Sequence, residues 1–204
     1  METVELLFKS SEFGLEAGCD EAGRGCLAGP VVAAAVILSK PIAGLNDSKK
    51  LSKRRREQLK IQIEADALAF SISFVNPSRI DELNILNASI EAMHIALSGL
   101  EVHPTHILVD GNRFKPFSNI PHTCVIGGDG IYQSIAAASV LAKTYRDEYM
   151  TKLDEEFPLY GWKKNMGYPT QKHEEAIYTN GVSIHHRTSF GIVKTLTQGN
   201  LFNQ

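Results

Sequence analysis

Asp20 and Glu21 stand side by side in the run Gly18-Cys19-Asp20-Glu21-Ala22-Gly23-Arg24-Gly25, an acidic pair that opens into a glycine, arginine, glycine turn. Two adjacent carboxylates at the end of an apolar strand are costly to take out of water unless arginine, lysine or a metal ion sits on them. Arg24 is the one cation adjacent in sequence. Gly23 and Gly25 lack Cβ atoms, so backbone and a bulky ligand can approach closely just past the acids. Asp110 ends the apolar run Ile107-Leu108-Val109, and Asp147 follows Lys143-Thr144-Tyr145-Arg146 within a long alanine-rich helical pattern. Singly, each has an ordinary explanation: Asp-Gly is a frequent turn pair, and a helix carboxylate between Arg146 and Glu148 is commonly solvated. Together, oxygen donors from several elements suit hard divalent cations such as Mg²⁺, and three or four of them can hold two ions for displacement at phosphorus. Neighbouring strand residues face opposite sides, so Asp20 and Glu21 converge only where their strand bends or ends. These residues suit a metal-assisted reaction on a large anionic substrate.

The elements that must position them follow from periodicity. Glu16 to Asp20 reads as a short strand and Gly29 to Leu38 as a second, buried one, with the turn Gly23 to Gly25 between them. Asn46-Asp47-Ser48 is turn chemistry, and from Ser52 a helix begins with Leu59, Ile63 and Leu68 on its inner face. A strand over 69–75 precedes a helical region from Pro77 through Leu100. His106 to Asp110 and Thr123 to Ile126 read as strands, the second closed by Gly127-Gly128-Asp129-Gly130. Ile131 to about Phe157 is a long helix broken by Pro158, Thr170 to Asn180 is another helix, and the tail from Phe190 is weakly patterned. An early hairpin followed by strands separated by helices predicts an α/β fold, a mixed sheet flanked by helices.

With 204 residues, 43% apolar and 22% charged, the chain has the composition of a soluble globular protein, and we expect one domain over 1–204 whose last part, about 158–204, is a helical extension. A formal charge of −2 excludes a globally basic nucleic-acid binder, so a polyanion must be gripped locally. Lys49, Lys50 and the run Lys53 to Arg56 form the densest basic segment, although such a run is commonly a solvated helix face. Three cysteines without metal-type spacing read as reduced thiols, and no apolar stretch approaches a membrane span, so the expected setting is cytoplasmic with no membrane partner. His173, His185 and His186 lack partners at zinc-ligand spacing.

Several motifs in order resemble the type 2 ribonuclease H family, on its bacterial ribonuclease HII branch. They are Asp20 through Pro30, Asn46-Asp47-Ser48-Lys49-Lys50-Leu51, Val109-Asp110-Gly111, Ser134 through Lys143 leading to Arg146-Asp147, Gly167-Tyr168-Pro169-Thr170 with His173, and His186 through Phe190. The resemblance spans nearly the whole chain. It implies a ribonuclease H-like fold with a five-stranded sheet, and an endonuclease acting on RNA–DNA hybrids and on DNA duplexes that contain ribonucleotides, cutting 5′ of the ribonucleotide to leave 5′-phosphate and 3′-hydroxyl ends. It implies Asp20, Glu21, Asp110 and Asp147 as the catalytic acids holding Mg²⁺ or Mn²⁺, two ions during catalysis. Gly23, Arg24 and Gly25 would read the ribonucleotide at the RNA-to-DNA junction, Tyr168 would pack on the deoxyribose that follows, and Lys49 would contact phosphate. Ser139 and Lys143 are further candidates for substrate contact. The expected state is a monomer with no obligate protein partner. A DNA junction nuclease of the same fold and a non-catalytic hybrid-binding module are the alternatives.

Overall fold

The computed structural model describes residues 6–10 and 14–199. Five strands form one sheet: β1 (Glu16–Ala22), β2 (Val31–Leu38), β3 (Ala67–Val75), β4 (His106–Asp110) and β5 (His122–Val125), in the order β3-β2-β1-β4-β5. β1 pairs antiparallel with β2 and parallel with β4, so the sheet is mixed, as the early hairpin predicts. Among the described residues seven α-helices flank it: α1 (Lys53–Asp66), α2 (Pro77–Leu83), α3 (Ile85–Ser98), α4 (Gln133–Glu156), α5 (Trp162–Asn165), α6 (Gln171–Asn180) and α7 (Gly191–Gly199).

The sheet alternation splits the core in two. Ala17, Cys19, Ala33 and Ala35 pack with Met93, Ala96 and Leu97 of α3 on one face. Ala34, Val36 and Leu38 pack with Ala137, Val140 and Leu141 of α4 and Leu59 and Ile63 of α1 on the other. β2 is buried on both faces and reads accordingly as Val-Val-Ala-Ala-Ala-Val-Ile-Leu. A third cluster, including Leu27, Met150, Trp162, Ile177 and Val193, ties α5 to α7 onto the end of α4 and the loop after β1.

Three boundaries differ from the sequence expectation for physical reasons. The helical region after Pro77 breaks at Asn84, whose φ of 65° ends α2 and whose side chain caps α3 by accepting from Asn87 N–H. Leu68 falls in β3, not on α1, and is exposed, because α1 stops at Asp66. The tail contains α7, whose Val193 anchors it in the third cluster.

Cys19 pairs with Val109 across the parallel β1–β4 pair, which sets Asp20 and Asp110 side by side at the carboxyl ends of the two strands. The sheet can carry α4 directly over this point because β1 has a glycine there: a Cβ on Gly18 would meet the Ser134 carbonyl carbon at 2.1 Å and the Ile135 nitrogen at 2.4 Å. Neither is a flexible side-chain tip. Gly18→Ala is therefore expected to lower stability by about 3 kcal/mol through forced displacement of α4. Equilibrium urea unfolding measures this, and an unchanged midpoint would rule out the close β1–α4 contact.

Candidate active site

Asp20 and Glu21 point to opposite faces of β1, yet both line one cavity of about 310 Å³ because the strand ends there. Asp110, Lys49, Lys143 and Tyr168 complete its walls, together with Ser48, Ser139 and the turn from Gly23 to Gly25. Gly23 has a φ of +94°, a conformation that glycine adopts without steric cost, and this turns the chain away from the sheet just past Glu21.

The cavity is crowded with negative charge. Asp20 is 6% exposed. Burial, followed by the neighbouring charges of Glu21 and Asp110, holds its carboxyl well above the ordinary carboxylate range, against the opposing hydrogen bonds from Ser139 and the Glu21 N–H. Burial also raises Glu21, while Arg24, 3.1 Å away, pulls it back. Asp110 is oriented by the Gly128 N–H, which donates to Oδ1 at 2.8 Å.

That hydrogen bond brings in an acid that the sequence reading leaves out. Asp129 follows Gly128 in a single 3₁₀ turn (Gly128–Gly130), is 5% exposed, and has an Oδ2 without a hydrogen-bond partner among the described residues. Burial and then the charge of Asp110 raise its carboxyl, and its Oδ2 lies 3.9 Å from Lys49 Nζ. Within Gly127-Gly128-Asp129-Gly130 it reads as turn chemistry, so the sequence carries no local signal for it.

Asp147, expected with the other acids, lies apart from them. Its Oδ1 accepts from Lys143 Nζ at 2.8 Å, one helical turn back, and its Oδ2 is 3.8 Å from Arg56. It lines a separate groove between α1 and α4 with Lys53 and Glu148. Arg56 is also no mere surface charge, for it donates to the carbonyls of Ser48 and Leu51 and so fixes the turn bearing Lys49. A carboxylate already balanced by two cations has least need of a metal.

The acids at and beside the cavity fit a hard divalent cation: all oxygen donors, largely desolvated, with the buried Asp129 Oδ2 lacking a hydrogen-bond partner among the described residues. Among the described residues, no three acidic, histidine or cysteine side chains stand close enough to ligate an ion as they are, so closing on one takes side-chain rotation.

Two buried arginines set the shape of the cavity's glycine-rich rim. Arg187 donates to the carbonyls of Gly23, Arg24 and Gly29, and Arg146 to those of Ala28, Pro30 and Met166. A Cβ on Gly23 would meet Arg146 Nε at 2.0 Å. Asp81 in turn anchors the segment that carries Arg187, accepting from the backbone and hydroxyls of Thr188 and Ser189. Ser139 bonds Ser48 at 2.9 Å, and Lys143 Nζ lies 5.5 Å from the Tyr168 ring centroid.

A histidine pair holds Tyr168 from behind. The Trp162 indole N–H donates to His173 Nε2 at 2.9 Å, so His173 carries its proton on Nδ1 and donates it to the Tyr168 carbonyl at 2.9 Å. Ser183 N–H donates to His186 Nδ1, which leaves the His186 proton on Nε2, facing His173 Nε2 at 3.3 Å. Both rings are neutral in this arrangement.

A family model described as Ribonuclease HII matches residues 17–193 of the chain. A ribonuclease HII of Christiangramia forsetii is 61% identical over 181 residues, which cover 87% of this chain and 90% of the relative. The crystal structure of the ribonuclease H2 from Pyrococcus horikoshii OT3 superposes with a TM-score of 0.76 at 25% identity, over 90% of this chain and 97% of that one. The crystal structure of Bst-RNase HIII in complex with Mn²⁺ shares the fold, with a TM-score of 0.71 at 17% identity over 90% of this chain and 69% of that one. Among the described residues, no helix is long and apolar enough to cross a membrane.

The histidine pair generates a pH dependence. Burial, then the His173 ring, pushes His186 down to about 4 from an ordinary 6.5. A folded-state value below the unfolded one gives stability that is full above pH 6.5 and lost as pH falls towards 4, on the order of 3 kcal/mol in all. His186→Gln should flatten that part of the curve. Denaturant unfolding at intervals from pH 7.5 to 4.5 checks it, and equal slopes in both proteins would refute the neutral assignment.

Proposed function

The chain belongs to the ribonuclease HII family, and from the geometry of its acids we propose that it incises a DNA duplex 5′ of an embedded ribonucleotide, using two divalent cations held at the β1–β4 strand ends. The coarser activity is that of the family: a ribonuclease H, a divalent-metal-dependent hydrolase acting on RNA–DNA hybrids. The observation that carries the finer reading is the meeting, on one cavity, of three carboxylates with a backbone turn of almost no side-chain bulk.

Asp20, Glu21 and Asp110 would hold the cations, with Asp129 as the fourth ligand in place of Asp147. Bound there, divalent cations supply polarisation of the scissile phosphate, a lowered pKa for the attacking water and charge stabilisation on the departing 3′ oxygen. The protein does the rest. Telling RNA from DNA requires contact with the 2′-hydroxyl, which both donates and accepts hydrogen bonds. The turn Gly23-Arg24-Gly25 offers backbone groups for that contact, and its carbonyls at Gly23 and Arg24 are already fixed by Arg187. Tyr168, half-exposed on the far wall, would pack against the deoxyribose that follows the junction. Lys49, its side chain largely exposed at the cavity rim, and Lys143, partly buried beside Tyr168, would bind the flanking phosphates, with Ser139 holding Ser48 and the Lys49 turn in register. Substrate enters across the surface of a single domain acting as a monomer.

The choice of fourth acid is open to direct test. Asp129→Asn should lower kcat on a duplex with one ribonucleotide by more than about 100-fold and weaken Mn²⁺ binding by calorimetry, while Asp147→Asn should cost about tenfold, the low end of the range for a residue that only orients its neighbours. The opposite ranking would restore Asp147 to the site. Wild-type incision that persists undiminished in chelator, or that spares the single ribonucleotide and cuts only long hybrids, would sink the finer reading.

A further inference from the structure

A second hollow of about 180 Å³ lies against the same acids. Glu21, Arg24 and Asp110 belong to both cavities and form the shared wall. Beyond that wall the second hollow is lined by Leu86, Ser89 and Ile90 of α3 on one side and by Asn112 and Arg113, just past β4, on the other. Its volume is that of about six water molecules at ~30 Å³ each, enough for one pentose ring but not for a base pair.

Ser89 distinguishes this hollow from a packing defect. A helical serine ordinarily satisfies its hydroxyl by donating to the carbonyl four residues back. The Ser89 hydroxyl does not: the residue is 2% exposed and its Oγ has no hydrogen-bond partner among the described residues. A desolvated hydroxyl left open costs free energy that a bound polar group restores. Leu86 and Ile90 on either side offer carbon surface, while Arg113 is exposed at the rim and Arg24 stands on the shared wall. Carbon surface, one hydroxyl and two guanidinium groups match a sugar with an adjoining phosphate.

We propose that this hollow receives the sugar and 5′-phosphate of the nucleotide immediately upstream of the cut, the nucleotide whose 3′ oxygen departs. The assignment rests on the proposed reading of the first cavity. There, Tyr168 takes the sugar downstream of the ribonucleotide, so a strand crossing the acids continues in the upstream direction into the space beyond Glu21 and Asp110. In a duplex the bases stay paired with the opposite strand, and the protein meets mainly backbone. Holding the sugar of the departing oxygen fixes its line to the attacking water, so the contact acts on alignment as well as on binding.

The test is a cycle between Arg113 and one phosphate. The substrate is a duplex with a single ribonucleotide, made with either ordinary linkages or a neutral methylphosphonate one nucleotide upstream of the scissile phosphate. Arg113→Ala should lower kcat/KM about tenfold on the ordinary duplex, as loss of a charge-assisted hydrogen bond does, and have no further effect on the neutral-linkage duplex. Arg113 is exposed, so folding is not at issue. Ser89→Leu, which fills the floor, should lower kcat/KM by at least as much while leaving Mn²⁺ affinity unchanged. Equal losses from Arg113→Ala on both duplexes, or no loss on either, would overturn the proposal, as would full activity in a folded Ser89→Leu protein. If the wild type does not incise at the single ribonucleotide, the reading of the first cavity falls separately. The same cycle on the RNA strand of a hybrid then decides the hollow alone.

Discussion

Two buried guanidinium groups with no carboxylate partner among the described residues hold the substrate face of this protein together. Arg146 reaches from the middle of α4 and Arg187 from the segment after α6, and both spend their donors on main-chain carbonyls of the loop between β1 and β2. Desolvating such a charge is costly unless its planar fork is fully used, and six carbonyl contacts to Arg187 and Arg146 within that loop use most of it. The loop therefore cannot relax locally: its carbonyls are committed to two groups anchored in different parts of the fold. A lysine at either position offers a point charge in place of the fork and could not span the same carbonyls.

The acids impose the complementary constraint. Burial and the charges of Glu21 and Asp110 raise Asp20's cost of ionisation, burial and the charge of Asp110 raise that of Glu21 and Asp129, and Arg24 beside Glu21 and Lys49 beside Asp129 offset only part of it. Asp147 escapes this by pairing with Lys143 along its own helix and with Arg56 across to α1. The contrast follows from helical geometry. On α4, residues four apart share a face, so Lys143 and Asp147 meet, while Arg146, rotated about 100° from Asp147, passes under the loop.

Much of this was legible in the sequence, and the limits have physical causes. The mixed sheet follows from the apolar runs and their punctuation, and the pairing of Asp20 with Asp110 follows once two acids each end a buried strand. Gly23 announces a turn that a side chain would block, because its φ is +94° and a Cβ there would meet Arg146 Nε at 2.0 Å, whereas Gly25 has open space around it. Asp129 was hidden because Gly-Gly-Asp-Gly reads as turn chemistry, and nothing local distinguishes a turn aspartate from a desolvated one. The separate groove that Asp147 lines was likewise not legible, because order in a motif does not report which helical face a carboxylate occupies. Arg146 and Arg187 left no signal of burial, since an isolated arginine in sequence is by default a surface group and the loop carbonyls between β1 and β2 that accept from them are 116 to 164 residues away. Asn84 left a similar gap: its positive φ is invisible until the two helices that it separates are seen to pack.

On the proposed reading, the buried polar groups also keep reading and cutting in register. Glu21 stands one residue before the end of the strand that presents the acids, and Gly23 begins the turn that would offer backbone to the sugar, with Ala22 between them. That proximity would be of little use if the turn were free to move, because a displacement of about 1 Å is enough to spoil alignment at a reacting phosphate. Arg187 fixes the turn from one side and is itself tied down through Thr188 and Ser189 to Asp81 on α2. Arg146 fixes the loop from the other side and also binds the Met166 carbonyl, two residues before Tyr168, whose own carbonyl is held by His173. The acids, the turn and the tyrosine are thus referred to one rigid frame built from α4 and the C-terminal helices. The C-terminal segment thus supports the candidate site, because without it the glycine turn would lose the Arg187 donors that define its shape.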